Sequence, residues 1–187
     1  MSLVEHLEST LGQIEAGWSV DAAGGTMPFQ VVKFSRGSGP RTSSFSTLGL
    51  SSSPLTSRRS GRDIRQELLM VLSDGSEPCL APAQLQQVGL EVLSDGHALL
   101  RGDVIGPRGK LRPGSQMEAL YVAAPVYFPD DFATYRSQEA DVVIAWLVPI
   151  SAAEARYVAS TGWRAFENLL AEVDPDLADL QRESLLL

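Results

Sequence analysis

The chain has 187 residues, of which 44% are apolar and 20% charged, and its formal net charge is -8. That length supports one well-buried core and is short for two, and the composition is that of a globular domain rather than a disordered chain. Its apolar runs, such as the nine residues from Val142 to Ile150, fall well below the roughly 20 that a membrane-spanning helix needs, so no membrane partner is expected.

Charge and cysteine usage narrow the partners. Nucleic-acid binders draw most of their affinity from neutralised phosphates, so an acidic chain disfavours nucleic acid and suits a basic protein surface. Arg58, Arg59, Arg62 and Arg65 form the one basic cluster, which reads as a solvated loop leading into a structured element. Residues Met1 to His6 lack a basic region followed by an apolar stretch, so no secretory leader is expected. The single cysteine, Cys79, has no partner for an internal disulfide, which fits a reducing compartment. A cytoplasmic protein is the expectation.

In chain order, Ser2-Leu3-Val4-Glu5 reads as a capping box, and Leu3, Leu7, Leu11 and Ile14 at helical spacing predict a helix over about residues 3–16, closed by Gly17. Asp21 to Gly25 reads as a loop. Phe29 to Phe34 predicts a strand, Gly37 to Pro40 a turn, and Thr42 to Leu50 a second strand of a hairpin. Ser51 to Ser57 is polar and reads as a mobile loop. Ile64 to Leu72 fits a helix through Ile64, Leu68 and Val71, and equally a buried strand through Leu69 to Leu72; pattern alone leaves both open. From Pro82, the residues Leu85, Val88 and Val92 predict a helix stopped at Asp95-Gly96, with a short apolar segment starting at His97. Gly102 to Gly114 should be loop. Leu120 to Phe128 and Val142 to Ile150 are nearly continuous apolar runs, as expected of central strands buried on both faces. A second capping box, Ser151 to Glu154, opens a long amphipathic helix whose buried stripe is Ala155, Val158, Phe166, Leu169, Leu170 and Val173. Gly162-Trp163 divides it and Pro175 ends it, and the leucines of 177–187 suggest that the tail docks. The fold class is α+β, in one domain spanning 1–187.

Few residues are arranged for chemistry. Gly109-Lys110 lacks the earlier glycine and the following hydroxyl of a phosphate loop, because Val104 and Leu111 stand there. Two histidines, His6 and His97, and one cysteine make no metal-ligand spacing, so neither a metal nor a cofactor is expected. No strained Gly-x-Ser-x-Gly elbow occurs, and Glu77 before Cys79 gives that thiol an acidic setting; a hydrolase would need His97 to meet a serine or Cys79 in space. The acidic pairs Asp130-Asp131 and Glu139, Asp141 read as solvated turns and, functionally, as a binding rim rather than a catalytic dyad.

Four ordered segments carry a resemblance. They are Phe45 to Ser51, which includes Thr47-Leu48-Gly49-Leu50-Ser51; Arg65 to Met70, with Arg65, Glu67 and Leu68; Ala119 to Pro125 with Phe128; and Trp146 to Ser151, which includes Pro149 and Ile150 and is followed by Glu154, Tyr157 and Gly162. With Asp95-Gly96-His97, this set resembles the suppressor-of-fused domain family, bacterial members included, over about residues 27–184. The resemblance implies a mixed, largely antiparallel sheet flanked by helices, with Glu67 to Leu72 as a strand. It implies a binding module: animal members restrain a transcription factor by clamping a short peptide, and many bacterial members look like immunity proteins that neutralise toxins. No counterpart of the animal protein's second domain is expected here. Ser51 to Gly61 and Gly102 to Gly114 depart most from the family pattern and are candidate partner-specific loops. The expected function is therefore non-catalytic binding of another protein, a toxin or other basic surface, with Asp130, Asp131, Glu139 and Asp141 in the rim. The alternatives are capture of a short peptide strand by an intracellular adaptor and a small hydrolase using His97.

Overall fold

Alternation of apolar side chains along two long strands decides the architecture. The computed structural model describes residues 1–21, 23–36, 39–74 and 80–186. Its elements are α1 (Leu3–Leu11), β1 (Ile14–Val20), β2 (Thr26–Phe34), β3 (Thr42–Leu48), β4 (Leu55–Thr56), β5 (Asp63–Ser73), α2 (Leu80–Asp95), β6 (Val104–Ile105), β7 (Met117–Ala123), β8 (Thr134–Tyr135), β9 (Val142–Ser151), α3 (Ala152–Thr161) and α4 (Trp163–Val173). Single 3-10 turns lie at Leu50–Ser52 and Asp130–Ala133.

The strands form one sheet in the order β1-β2-β3-β5-β9-β7-β6, with β4 on β5 and β8 on β9. All its pairs are antiparallel except the central β5–β9 pair, which runs from Arg65↔Val142 to Leu69↔Trp146. Both faces are covered. Met117, Leu120, Val122, Ala145 and Leu147 point to one core, closed by Leu85, Val88 and Val92 of α2. Their neighbours Ala119, Tyr121, Ile144, Trp146 and Val148 point to the other, closed by Leu7 and Leu11 of α1, Val158 of α3 and Phe166 of α4. Successive side chains of a strand face opposite ways, so a strand buried on both faces must be apolar throughout. The mixed sheet flanked by helices is the fold that the resemblance implied, and residues 67–72 are strand.

Several boundaries differ from expectation. The first helix ends at Leu11, not residue 16: Gly12 has φ 79°, and a Cβ there would lie 2.3 Å from Ser35 Oγ. Residues 14–20 are an edge strand, because Ile14 satisfies both a helical and an alternating pattern and tertiary pairing with β2 chose the latter. Thr42–Leu48 pairs with β2 as the expected hairpin, but Leu50 turns into the 3-10 segment. The 51–57 stretch is not plain loop, since Ser51 and Leu55 are buried and β4 pairs with β5. Within the 102–114 loop, β6 pairs with β7. Strand β7 stops at Ala123 rather than Phe128, where Pro125 lacks an N–H to donate and 124–128 folds into turns. Of the late stripe only Phe166 is buried on α4; Leu169 and Leu170 are half-buried and Val173 is exposed. Both capping boxes form as expected, Gly96 (φ 67°) stops α2, and Leu177, Ala178 and Leu180 dock the tail. Cys79 and the Gly37-Ser38 half of the expected turn lie outside the described residues.

Candidate functional site

Two buried glutamates of the motif, Glu67 and Glu154, each gather several of its other residues. Glu67 on β5 is fully buried. Its Oε2 accepts from Thr47 Oγ1 at 2.6 Å, and its Oε1 accepts from the backbone N–H groups of Gly49 (2.9 Å) and Ser51 (3.1 Å) and from Ser51 Oγ (2.7 Å). Gly49 reaches this position with φ 101°, a backbone region that disfavours side chains. Arg65 closes the corner from outside, donating from Nη1 to the carbonyls of Ser51 (2.7 Å) and Ser52 (2.9 Å). Leu50 and Leu68 fill the core on one face of the sheet, and the half-buried Leu48 packs against the core on the other. A carboxylate that accepts from four donors is held in one orientation by them.

Glu154 is also fully buried and is held by charge. Arg182 of the tail donates to both of its oxygens, at 2.7 and 2.8 Å, and the N–H groups of Ser151 and Leu185 donate as well, at 2.8 and 3.0 Å. Burial by itself raises the carboxyl pKa, but Arg182 and the two N–H donors outweigh it and hold Glu154 below the usual range. Arg182 also donates to the carbonyl of Pro149, which lies beyond the last β5–β9 pair, so the proline takes no donor from the central ladder. Ile150 is fully buried, Pro125 is buried at the turn after β7, and Gly162 separates α3 from α4.

His97 lines a polar cavity of about 330 Å³ with Arg58, Glu91, Asp95, Asp103 and Arg108. Its Nδ1 lies 2.7 Å from the carbonyl oxygen of Asp95, and the lining carries no hydroxyl or thiol among the described residues. The cations there are engaged, Arg58 with Asp95 and Arg108 with Glu91. His6 is buried elsewhere, with Nε2 3.0 Å from the carbonyl oxygen of Phe132. Among the described residues no three His, Cys, Asp or Glu side chains converge as metal ligands, and no helix is long and apolar enough to cross a membrane.

The four acidic rim candidates are all exposed. Asp130 and Asp131 sit in the 3-10 turn before β8, and Glu139 and Asp141 in the turn between β8 and β9, so they flank opposite ends of a two-residue strand. Asp141 is 3.7 Å from Arg136. They share a hairpin without forming a cluster.

A second cavity, also about 330 Å³, was not legible in the sequence. Its floor is Tyr121, Trp146 and Val148 of the sheet; its walls are Leu170 and Ala171 of α4 facing Val126 and Tyr127; Pro175 and Leu177 close one end. Tyr127 packs at a tilt against Trp146 with ring centroids 4.8 Å apart and donates to the carbonyl of Pro175 at 3.3 Å. The polar end is self-contained: Arg101 pairs with Glu167, which also accepts from Tyr121. Burial, then the Glu167 contact, raises the Tyr121 pKa well above its ordinary value. The exposed rim residues were hidden because Val126 and Tyr127 extend an apolar run that reads as strand, and Leu170 of the wall belongs to a stripe that reads as core. The only available signal was Pro125, which marks where the run leaves the sheet.

Comparison with known proteins assigns the fold. A crystal structure from Neisseria gonorrhoeae FA 1090, assigned as a suppressor of fused homologue, matches with TM-score 0.76 and 16% identity over 98% of this chain and 94% of that one. The Sufu–Fu complex matches with TM-score 0.75 and 17% identity over 97% of this chain and 90% of its own. Drosophila Suppressor of Fused matches with TM-score 0.65 and 17% identity over 84% of this chain, which spans 43% of that protein. No curated protein is similar enough to match. The family model for suppressor of fused protein matches residues 25–183. With that match over most of its length, the chain belongs to the suppressor of fused family.

Proposed function

We propose that the chain is a non-catalytic protein-binding domain, of the immunity or regulatory type, that occupies a partner rather than transforming it. The observation that carries this reading is the apolar cavity beside α4, whose rim leaves Val126 68% and Tyr127 37% exposed. Exposed apolar residues gathered around a depression are the usual anatomy of a recognition site. Support also comes from the Sufu–Fu complex, in which a domain matched over 90% of its length is found with a partner. The acidic balance of the chain favours a basic partner and faster association with it. Asp130, Asp131, Glu139 and Asp141 contribute to that field, and the single cysteine favours the cytoplasm as the place of action.

The test is reconstitution from purified components. The intact chain is used to isolate its partner from native cells, and the pair is then titrated by calorimetry. A stoichiometric, salt-sensitive complex in which the partner's activity is blocked and its mass unchanged is expected. A partner that leaves the reaction cleaved or modified would overturn the reading.

One feature favours peptide-strand capture instead. β1 pairs only with β2, so its outer edge is open to strand addition among the described residues. Register shifts on either side of Ala16–Trp18 distort that edge, and such bulges oppose extended pairing. Salt-tolerant binding that a proline at Ala16 abolishes would favour it.

A further inference from the structure

We infer that the cavity beside α4 is a docking groove for a peptide segment of one chemistry: a bulky apolar side chain with a lysine or arginine next to it. This deepens the protein-binding reading and rests on it. Three observations converge. Away from its Arg101–Glu167 end the groove is lined mainly by apolar residues, with Trp146 in its floor and Leu170 in its wall, and its volume of about 330 Å³ is at the small end for ligand pockets, matching one or two large side chains rather than an extended cofactor. A second, adjoining depression shares Tyr127, Asp174 and Pro175 with it and adds Asp176, so the apolar groove opens onto acid. Finally, α4 ends at this point with no basic residue in its last turn, so its C-terminal carbonyls add negative potential.

Charge decides the occupant. The groove's own cation, Arg101, is engaged by Glu167 and lies over the Trp163 ring, 4.9 Å from its centroid. Asp174 and Asp176 make no ion pair among the described residues; burial raises the pKa of the Tyr127 phenol most, and these two carboxylates add to it while Arg182 opposes them. An anion would meet two carboxylates and a helix C-terminus. An apolar anchor with a cation beside it satisfies both halves of the site.

The probe is a synthetic peptide with paired leucines flanked by arginines, titrated against the intact chain by fluorescence anisotropy. Asp174→Asn with Asp176→Asn removes the charge conservatively, because asparagine tolerates the left-handed conformation of position 174 (φ 48°), and at position 176 its Oδ1 can still accept from the Ala178 N–H. That double variant should bind roughly 3- to 10-fold more weakly. Val126→Asp, at an exposed rim position, should weaken binding by at least about 10-fold with thermal unfolding unchanged. Exchanging the arginines for glutamates should abolish binding. Failure of the wild-type chain to bind the probe, or binding that neither variant weakens, overturns the groove. The natural partner separates the two readings: if it binds both variants as it binds wild type, the groove falls while the protein-binding reading stands. If the probe binds as described but no protein does, the groove stands and the protein-binding reading falls.

Discussion

Glu67 and Glu154 are both fully buried, yet they are stabilised by opposite means. Glu67 takes its donors from residues 47–51, on the adjoining strand and the turn that follows it, without a cation in contact. Glu154 relies on Arg182, 28 residues later, and so ties the tail to the start of α3. The first network is part of the sheet and can be lost only by disrupting it. The second is a clasp on a peripheral segment, and that segment supplies Leu177 and Pro175 to the groove. Stability and binding should therefore separate: damage at Glu67 affects the fold, whereas damage at the clasp reaches the groove first.

The sharpest way to break this contrast is Glu67→Ala. It leaves the Thr47 and Ser51 hydroxyls and two backbone N–H groups facing a void, and should cost about 4 kcal/mol in urea unfolding. A loss under about 1 kcal/mol would show that water replaces the carboxylate and that the network is not built into the sheet.

Arg182→Met comes next, at about 2 kcal/mol. Leaving Glu154 buried and unpaired would cost more, but detachment of the tail lets water reach it. Hydrogen exchange should rise in residues 177–186 before it rises in β5 or β9, and probe binding at the groove should weaken. The pH dependence has a defined sign. Because the folded pKa of Glu154 is depressed, the clasp's contribution is complete above the ordinary value of 4.5 and is lost as pH falls through the lower folded value. The gap in stability between wild type and Arg182→Met should therefore narrow below pH 4.5. A constant gap would mean that the arginine acts by packing alone.

Val126→Asp should change stability by no more than about 0.5 kcal/mol while reducing binding, the reverse of Glu67→Ala. The smallest stability effect is expected from reversing Asp130, Asp131, Glu139 and Asp141 to lysine. Their one described ion pair, Arg136 with Asp141, is exposed, and pairs of that kind contribute little. Stopped-flow association with the captured partner should slow and lose salt dependence. Unchanged association would remove these four residues from the interface.

Much of the frame was legible because it is local. Both capping boxes, the strand at Phe29 to Phe34, the helix after Pro82 and the apolar run of β9 follow from residues a few positions apart, where hydrogen-bond geometry and side-chain period leave little choice. The resemblance resolved residues 64–72, which pattern left open. The first helix was overextended because Ile14 fits two periods. The groove stayed hidden because an apolar stripe records which face avoids water, not whether a neighbour covers it: Phe166 is buried and Val173, seven residues on, is half in solvent.

By itself, then, the sequence determined where α1, α3 and the strands β2 and β9 start or run, which positions on β7 and β9 must be apolar, and the acidic balance of the chain. These are properties of short-range periodicity and composition. Only the tertiary structure decided that Glu67 would be met by residues 47–51, that Arg182 would reach back to Glu154, and that Val126, Tyr127 and the end of α4 would frame one depression. Those outcomes depend on which elements pack together and where coverage runs out, and neither is encoded in the spacing of residues along any one element.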